Sequence, residues 1–412
     1  MGAHGVVRAH LKRRRPLRRP LRRRALLPFL LLVLSCGAEG TAGPEVATLA
    51  VTPPTAFLAN AGTTTWLQAE VRDASGGLMT GVPVAWTTAN AAVATVDASG
   101  IVTAVGTGTA SIRAEASGVE ASASVEVWVP PLVEAYEPGV VYSGRRGYVE
   151  YVPGELPLVI SAPHGGALEP SEIPDRTWGT TVTDANTVET ILAVRDAFVA
   201  STGKAPHIII SHLRRTKLDP NRDVEEAAQG SPQAENAWDE FHGFIEVATE
   251  EVERRYGAGV YLDLHGHGHA ILRVELGYLL SAGDLARTDA ELDGPVFAQA
   301  SSLRALATAV EMPFSRLLRG PTSLGGFLGD EGVPSVPSPG DPDPGTAPYF
   351  SGGYATARHG SRDGGTVIGA QMELHRVGIR DTHENRLAFG DALAAAVEAF
   401  MMEHYGFFGP GG

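Results

Sequence analysis

One stretch of this 412-residue chain concentrates groups that could do chemistry: Tyr261-Leu262-Asp263-Leu264-His265-Gly266-His267-Gly268-His269. The apolar run Gly259-Val260-Tyr261-Leu262 that leads into it reads as a buried strand. Side chains alternate faces along a strand, so Asp263 and His265 point the same way. The glycines that follow break the strand and let the backbone approach whatever the histidines hold. A carboxylate and an imidazole at the end of a buried strand suit a metal site in an α/β sheet. A hydrogen-bonded loop of solvated histidines is the plainer reading, and the stretch alone does not choose between them. The sequence has a single cysteine, so any metal must be held by His, Asp and Glu.

Three further stretches carry similar groups. Leu156-Pro157-Leu158-Val159-Ile160-Ser161-Ala162-Pro163-His164-Gly165-Gly166 reads as a buried strand ending in a histidine and a glycine turn, with Glu169 five residues beyond His164. A strand-end histidine with a nearby carboxylate is a common start to a zinc site, because both ligands come from one loop. The strand His207–Ser211 runs into Leu213-Arg214-Arg215-Thr216-Lys217-Leu218-Asp219-Pro220-Asn221-Arg222-Asp223, a dense cationic cluster at a strand end. A guanidinium fork and a directional amide there suit a carboxylate; a solvated, salt-bridged loop is the alternative. Val367–His375 reads as a strand with Gln371, Glu373 and His375 in alternation, where Glu373 either faces a site or pairs with Arg376 or Arg380 at the surface.

The elements that must position these groups alternate between strand and helix. Helical spacing runs over Thr187 to Ser201, Gln233 to Arg255 and Arg386 to Met402, and the buried runs between them read as strands. Together they predict an α/β domain with a mixed central sheet flanked by helices over residues 131–412, starting after Pro130-Pro131. Gly329 to Gly345 is a long irregular segment rich in Pro and Gly. Tyr349 to Ser361, with Arg358 and His359, reads either as a substrate-recognition rim or as a packing loop.

The motifs Ser161-Ala162-Pro163-His164-Gly165-Gly166, Arg215-Thr216-Lys217-Leu218-Asp219-Pro220-Asn221-Arg222 and Asp263-Leu264-His265-Gly266 occur in the order seen in N-formylglutamate amidohydrolases. The chain resembles that family over most of residues 150 to 405. More broadly it is similar to the zinc carboxypeptidase, aspartoacylase and poly-γ-glutamate hydrolase group. The resemblance implies a Zn²⁺-dependent hydrolase. By position, His164, Glu169 and His265 correspond to the metal ligands, and Asn221 and Arg222 to the pair that grips a substrate carboxylate, with Arg215 as helper. Glu373 corresponds to a catalytic glutamate that takes a proton from the attacking water and passes it to the leaving nitrogen. Asp263, His267 and His269 would stand behind the ligands and orient them. Carboxypeptidases place their Glu ligand three residues after the first His, where this chain has Ala167; the spacing to Glu169 looks instead like the poly-γ-glutamate hydrolase form.

Ahead of this domain, residues 46–128 alternate short strand-like runs with turn signals such as Asp73-Ala74-Ser75-Gly76-Gly77, the pattern of a β-sandwich. Val96 to Ala110 and Val84-Ala85-Trp86-Thr87-Thr88 resemble the bacterial Ig-like group 2 domain, which implies a spacer or surface-adhesion module, with Trp86 a core residue. Residues 37–45 read as a linker. Residues 1–36 combine an arginine block with the apolar run Ala25 to Leu34, the form of an export signal. Val33-Leu34-Ser35-Cys36-Gly37 resembles a lipoprotein cleavage box with Cys36 as the lipidated residue; a plain secretory signal is the alternative.

Residues 1–35 hold ten Lys or Arg and no acid, so of the formal charge of -14 the remainder carries -24. An acidic body argues against nucleic acid as the partner. The expected partners are a small anionic amide or peptide substrate, a membrane reached through the lipid anchor, and a cell-surface or polysaccharide contact through the Ig-like domain. The sequence thus reads as an exported zinc amidohydrolase or peptidase. The competing reading is a surface adhesion lipoprotein that acts through its Ig-like domain without turnover.

Overall fold

The computed structural model describes residues 45–408. The expected export signal, Cys36 and the linker up to residue 44 lie outside the described residues. Among the described residues no helix is long and apolar enough to cross a membrane.

From Val46 to Trp128 the chain is all β. One sheet orders Thr55–Ala59, Val119–Trp128, Gly108–Ala116 and Ala85–Thr88; a second orders Thr64–Trp66, Ile101–Ala104 and Ala94–Val96. Alternation builds the core between them. Along Gly108–Ala116, Ala110, Ile112, Ala114 and Ala116 are buried while Thr109, Ser111 and Arg113 face out. Trp86 packs against this core, half-buried. Sequence reading missed Thr55–Ala59, which pairs with Val119–Trp128 in parallel. The Pro53-Pro54 pair directly before it signals a loop and hides the strand.

The second domain is built on eight strands: β1 (Tyr142–Ser143), β2 (Val149–Val152), β3 (Leu158–Ala162), β4 (His207–Ser211), β5 (Gly259–His267), β6 (Val274–Gly277), β7 (Ser335–Val336) and β8 (Val367–His375). Their spatial order is β1-β2-β4-β3-β5-β8-β6-β7. The central four, β4, β3, β5 and β8, are parallel. β2 and β6 flank them antiparallel, so the sheet is mixed. Parallel neighbours need crossovers. α1 (Thr187–Thr202) carries β3 to β4, and α2 (Pro232–Tyr256) carries β4 to β5. α3 (Tyr354–His359) precedes β8, and α4 (His383–Tyr405) follows it. Six short helices between Ala282 and Asp330 fill a region that has no long period in the sequence.

Strand alternation decides what each face receives. Val260, Leu262 and Leu264 of β5 pack in one core with Ile191, Val194 and Phe198 of α1 and Phe389, Leu393 and Phe400 of α4. Tyr261 turns the other way and joins Trp238, Phe241 and Ile245 of α2. Asp263 and His265 share its face. A one-residue slip would exchange Leu262 and Leu264 for Asp263 and His265 in the apolar core. Each buried leucine contributes roughly 1.5–3 kcal/mol, so the register is firmly set.

The two domains are clamped where they meet. Arg145, 1% exposed, bonds Glu126 of the first domain at 2.7 Å and Glu172 of the second domain at 2.6 Å. Its guanidinium lies 4.7 Å from the centre of the Phe57 ring. The Trp128 indole donates to Glu240 of α2 at 2.8 Å.

A buried imidazole pair joins α2 to α3. His242 Nδ1 and His359 Nε2 are 2.8 Å apart, and His242 Nε2 donates to the Pro220 carbonyl at 3.0 Å. Burial, reinforced by the Arg358 charge, pushes His242 down to about 3. Burial and the neighbouring His242 push His359 well below its ordinary value. Folded pKa values below the unfolded one mean that the stability is complete above about 6.5 and is lost as pH falls. Each imidazole contributes a slope of about 1.4 kcal/mol per pH unit below that point. Urea midpoints should therefore drop between pH 7 and pH 5, and the drop should be shallower in the His242→Gln/His359→Gln double variant.

Candidate functional site

His164 stands two residues past the end of β3, and His265 lies on the adjacent β5. The strand order turns round here, since the chain leaves β3 on one side for β4 and returns on the other as β5. Such a reversal opens a crevice at the carboxyl ends of the strands. The Nδ1 atoms of His164 and His265 are 3.1 Å apart. Asp184 Oδ2 is 3.3 Å from each of them. The three residues are buried, and their donor atoms lie within 4.8 Å of one another.

The far side of each ring is already engaged. His164 Nε2 is 2.6 Å from Asp219 Oδ1, and His265 Nε2 is 2.7 Å from Asp263 Oδ2. A carboxylate only accepts, so each Nε2 carries a hydrogen, and each Nδ1 is left to present a lone pair to the other and to Asp184; the hydrogens are assigned from this network. Two lone pairs and a carboxylate oxygen at hydrogen-bond distance require a positive charge among them. A proton on His265 can supply that charge. Burial disfavours it there, but the Asp263 charge and hydrogen bonds with Asp184 and Asp263 hold the imidazole well above its ordinary pKa. Against burial, the same partners keep Asp184 and Asp219 below the usual carboxylate range, with His164 and His265 acting on Asp184, and His164 and Arg215 on Asp219. Two imidazole nitrogens and one carboxylate oxygen, each backed by an outer carboxylate or amide, fit Zn²⁺.

Asp184 was not legible as a member. The Gly266 amide donates to its Oδ2 at 3.1 Å, and its own amide donates to the His164 carbonyl at 3.0 Å. In sequence it is a lone aspartate ahead of α1, where a carboxylate ordinarily reads as a helix cap. Glu169, expected as the third ligand, is elsewhere: its side chain is 47% exposed and bonds Arg214 at 3.0 Å. The glycine turn explains this. A Cβ on Gly166 would lie 2.3 Å from the His212 carbonyl, so the chain there runs hard against the end of β4. The Leu168–Leu213 bridge then sets Glu169 beside Arg214 at the surface.

The remaining expected residues divide. Asp263 lies against His265. Arg215 donates to Asp219 Oδ2 at 2.9 Å and is 3.6 Å from Asp184 Oδ1, so it holds the site's own carboxylates. The Asn221 amide nitrogen is 3.2 Å from Gln371 Oε1 and 3.3 Å from His265 Nε2. Arg222 is held by Glu226 at 3.2 Å and by the Asn221 carbonyl at 2.6 Å. Arg358 is not at the site: it lies over the Trp238 ring at 4.9 Å and pairs with Glu246 at 2.7 Å, fastening α3 to α2. His359 is likewise a buried packing group. His267 gives its Nε2 hydrogen to the Arg273 carbonyl and orients neither His164 nor His265.

Glu373 pairs in register with His265 across the β5–β8 ladder. It is buried and accepts from Gln371 Nε2 at 2.8 Å, which removes the surface-pairing alternative. Burial, with the Asp184 charge added and the His265 and His164 charges opposed, raises it to about 7. Sequence reading missed the place of Arg380, a buried guanidinium that donates to the Leu374 carbonyl at 3.1 Å and to the Ala185 carbonyl. It lies so close to Gly266 that a Cβ there would overlap it.

A family model described as the intimin immunoglobulin-like domain matches residues 69–118, so the first domain is Ig-like. No match was found among curated proteins. Among solved structures, domains 4 and 5 of the S-layer protein SbsC share 25% identity over 21% of this chain and 53% of that one, with a TM-score of 0.19. The chain thus spans about half the length of that relative. An N-formylglutamate amidohydrolase from Ralstonia eutropha JMP134 shares 14% identity over 62% of this chain and 97% of that one, with a TM-score of 0.39. The Agrobacterium tumefaciens gene product Atu2144 shares 13% identity over 63% and 92%, with a TM-score of 0.34. Likenesses this weak add nothing to the chemistry, which rests on the residues themselves.

Proposed function

We propose that the second domain is a metal-dependent hydrolase of amide bonds, with His164, Asp184 and His265 holding Zn²⁺. The observation that supports this most directly is the convergence of two imidazole lone pairs and a carboxylate oxygen whose outer partners are all in place. When bound, the ion supplies a Lewis acid that polarises a carbonyl. Glu373 is a proton acceptor poised near neutrality, able to take a proton from attacking water and deliver it to the leaving nitrogen. Gln371 fixes its carboxylate, and Asn221 fixes Gln371. Arg222, whose partners are Glu226 and the Asn221 carbonyl, and Arg380, which among the described residues bonds backbone carbonyls only, would receive an anionic substrate; Arg215 bonds two of the site's own carboxylates, Asp219 and Asp184.

N-acyl amino acids, peptide C-termini and γ-glutamyl amides are the candidate substrates. Export and a lipid anchor at Cys36 belong to this proposal and draw on the N-terminal sequence alone. The intimin-type Ig-like match favours one alternative, a surface adhesion protein without turnover. Purified full chain, loaded with zinc and offered N-formyl, N-acetyl and γ-glutamyl amino acids, should release amine, and His164→Ala should not. No release from any of them by a zinc-loaded chain would favour adhesion.

A further inference from the structure

A second set of donors adjoins the first on the same face of the sheet. His267 follows His265 by two residues on β5 and pairs with His375 of β8. Glu275 of β6 pairs with Glu373. Cross-strand partners share a face, so these five residues form one polar row. His267, His269 and Glu275 each offer a donor atom, and the three atoms lie within 4.8 Å of one another.

The hydrogen bonds orient this set as well. His267 Nε2 donates to the Arg273 carbonyl at 2.8 Å, which leaves Nδ1 as the lone-pair side. The His269 amide, 3.1 Å away, donates to that Nδ1 and is the bond a cation would displace. His269 Nδ1 is 2.7 Å from Glu275 Oε1, and Glu275 Oε2 accepts from the Phe350 amide at 2.9 Å. Phe350 stacks on the His269 ring at 4.9 Å and fixes its plane. Glu275 is 1% exposed, and its one ion-pair partner among the described residues is His269. His375 is also buried; its Nδ1 has no hydrogen-bond partner, and its ring centre is 6.3 Å from that of His267. A buried carboxylate facing a second buried carboxylate, two oriented imidazoles and an orphaned ring nitrogen beside them make a donor-rich set, and the nearby Arg380 guanidinium is turned to the Leu374 and Ala185 carbonyls. The donors are those of a borderline divalent cation.

We propose that His267, His269 and Glu275 bind a second divalent cation, making the site a two-metal centre with Glu373 between its halves. The binding stands on these residues alone; only the use of the second ion rests on the hydrolase reading. Held by His267, His269 and Glu275, a second ion would supply a further Lewis acid beside Glu373.

The test is metal content of the full chain, stripped with chelator, reloaded with Zn²⁺ or Co²⁺ and desalted. Wild type should keep about two ions per chain, and His269→Ala, Glu275→Gln and His164→Ala about one each. Glu275→Gln keeps the shape and the Phe350 hydrogen bond, and melting curves confirm folding of each variant. Co²⁺ spectra should show two components in wild type and a different single one in His269→Ala and His164→Ala. One ion in wild type, kept in His269→Ala and lost in His164→Ala, would overturn the second site and leave the first. One ion lost in His269→Ala but kept in His164→Ala would support this site and remove the first.

Discussion

Glu373→Gln should lower kcat by about 10²–10⁴-fold while leaving zinc content unchanged, the range expected for loss of a general acid–base group. The amide has the shape of the carboxylate and can keep the bond to Gln371 through its carbonyl oxygen. It cannot take a proton. Glu373 lies in register with His265, so its loss acts on the reacting atoms and not on the ligands. The working form is deprotonated, so wild-type kcat/KM should rise with pH through a limb at or below about 7, with a cation beside Glu373 moving it downward. That limb should vanish in the variant. Undiminished turnover with zinc bound would show that Glu373 does not carry the proton.

Asp184→Ala should lose zinc, and Glu169→Ala should keep it. Asp184 Oδ2 is 3.3 Å from both Nδ1 atoms, whereas Glu169 is engaged with Arg214 at the surface. Asp263→Ala gives the scale. Removing a group that only orients a ligand weakens metal binding by roughly 10–100-fold, and removing Asp184 should cost more. Competition against a chelating dye reads all three. Equal zinc affinity in Asp184→Ala and wild type would return the third ligand to another residue.

The pair at the heart of the site was legible because its signal is local. Asp263 and His265 sit two apart on a strand bounded by glycine, and β alternation alone puts them on one face. Strand β8 and helix α1 were legible for the same reason, since period and punctuation lie within the segment. Asp184 was not, because what makes it a ligand candidate is the loop over residues 165–183 that folds back under His164, and nothing in that loop announces the return. Glu169 was attractive because it is close in sequence, but the chain's tight approach at Gly166 spends those residues reaching the end of β4. Arg358 and His359 looked like a rim because polar groups follow a loop. Their partners, Trp238, Glu246 and His242, lie more than a hundred residues away on α2, and only the fold brings them together.

The Arg145 clamp makes the Ig-like domain a post and not a leash. Flexible spacers let a tethered site sweep many orientations, and its reach then depends on chain length. Here a guanidinium sealed between Glu126 and Glu172, stacked on Phe57, ties the last strand of the post to the loop that leads to Asp184. These buried bonds, with that of Trp128 to Glu240, fix the second domain against the last strand of the post. On the exported, anchored reading proposed above, a further Ig-like unit in the post would carry the His164–His265 site farther from its anchor.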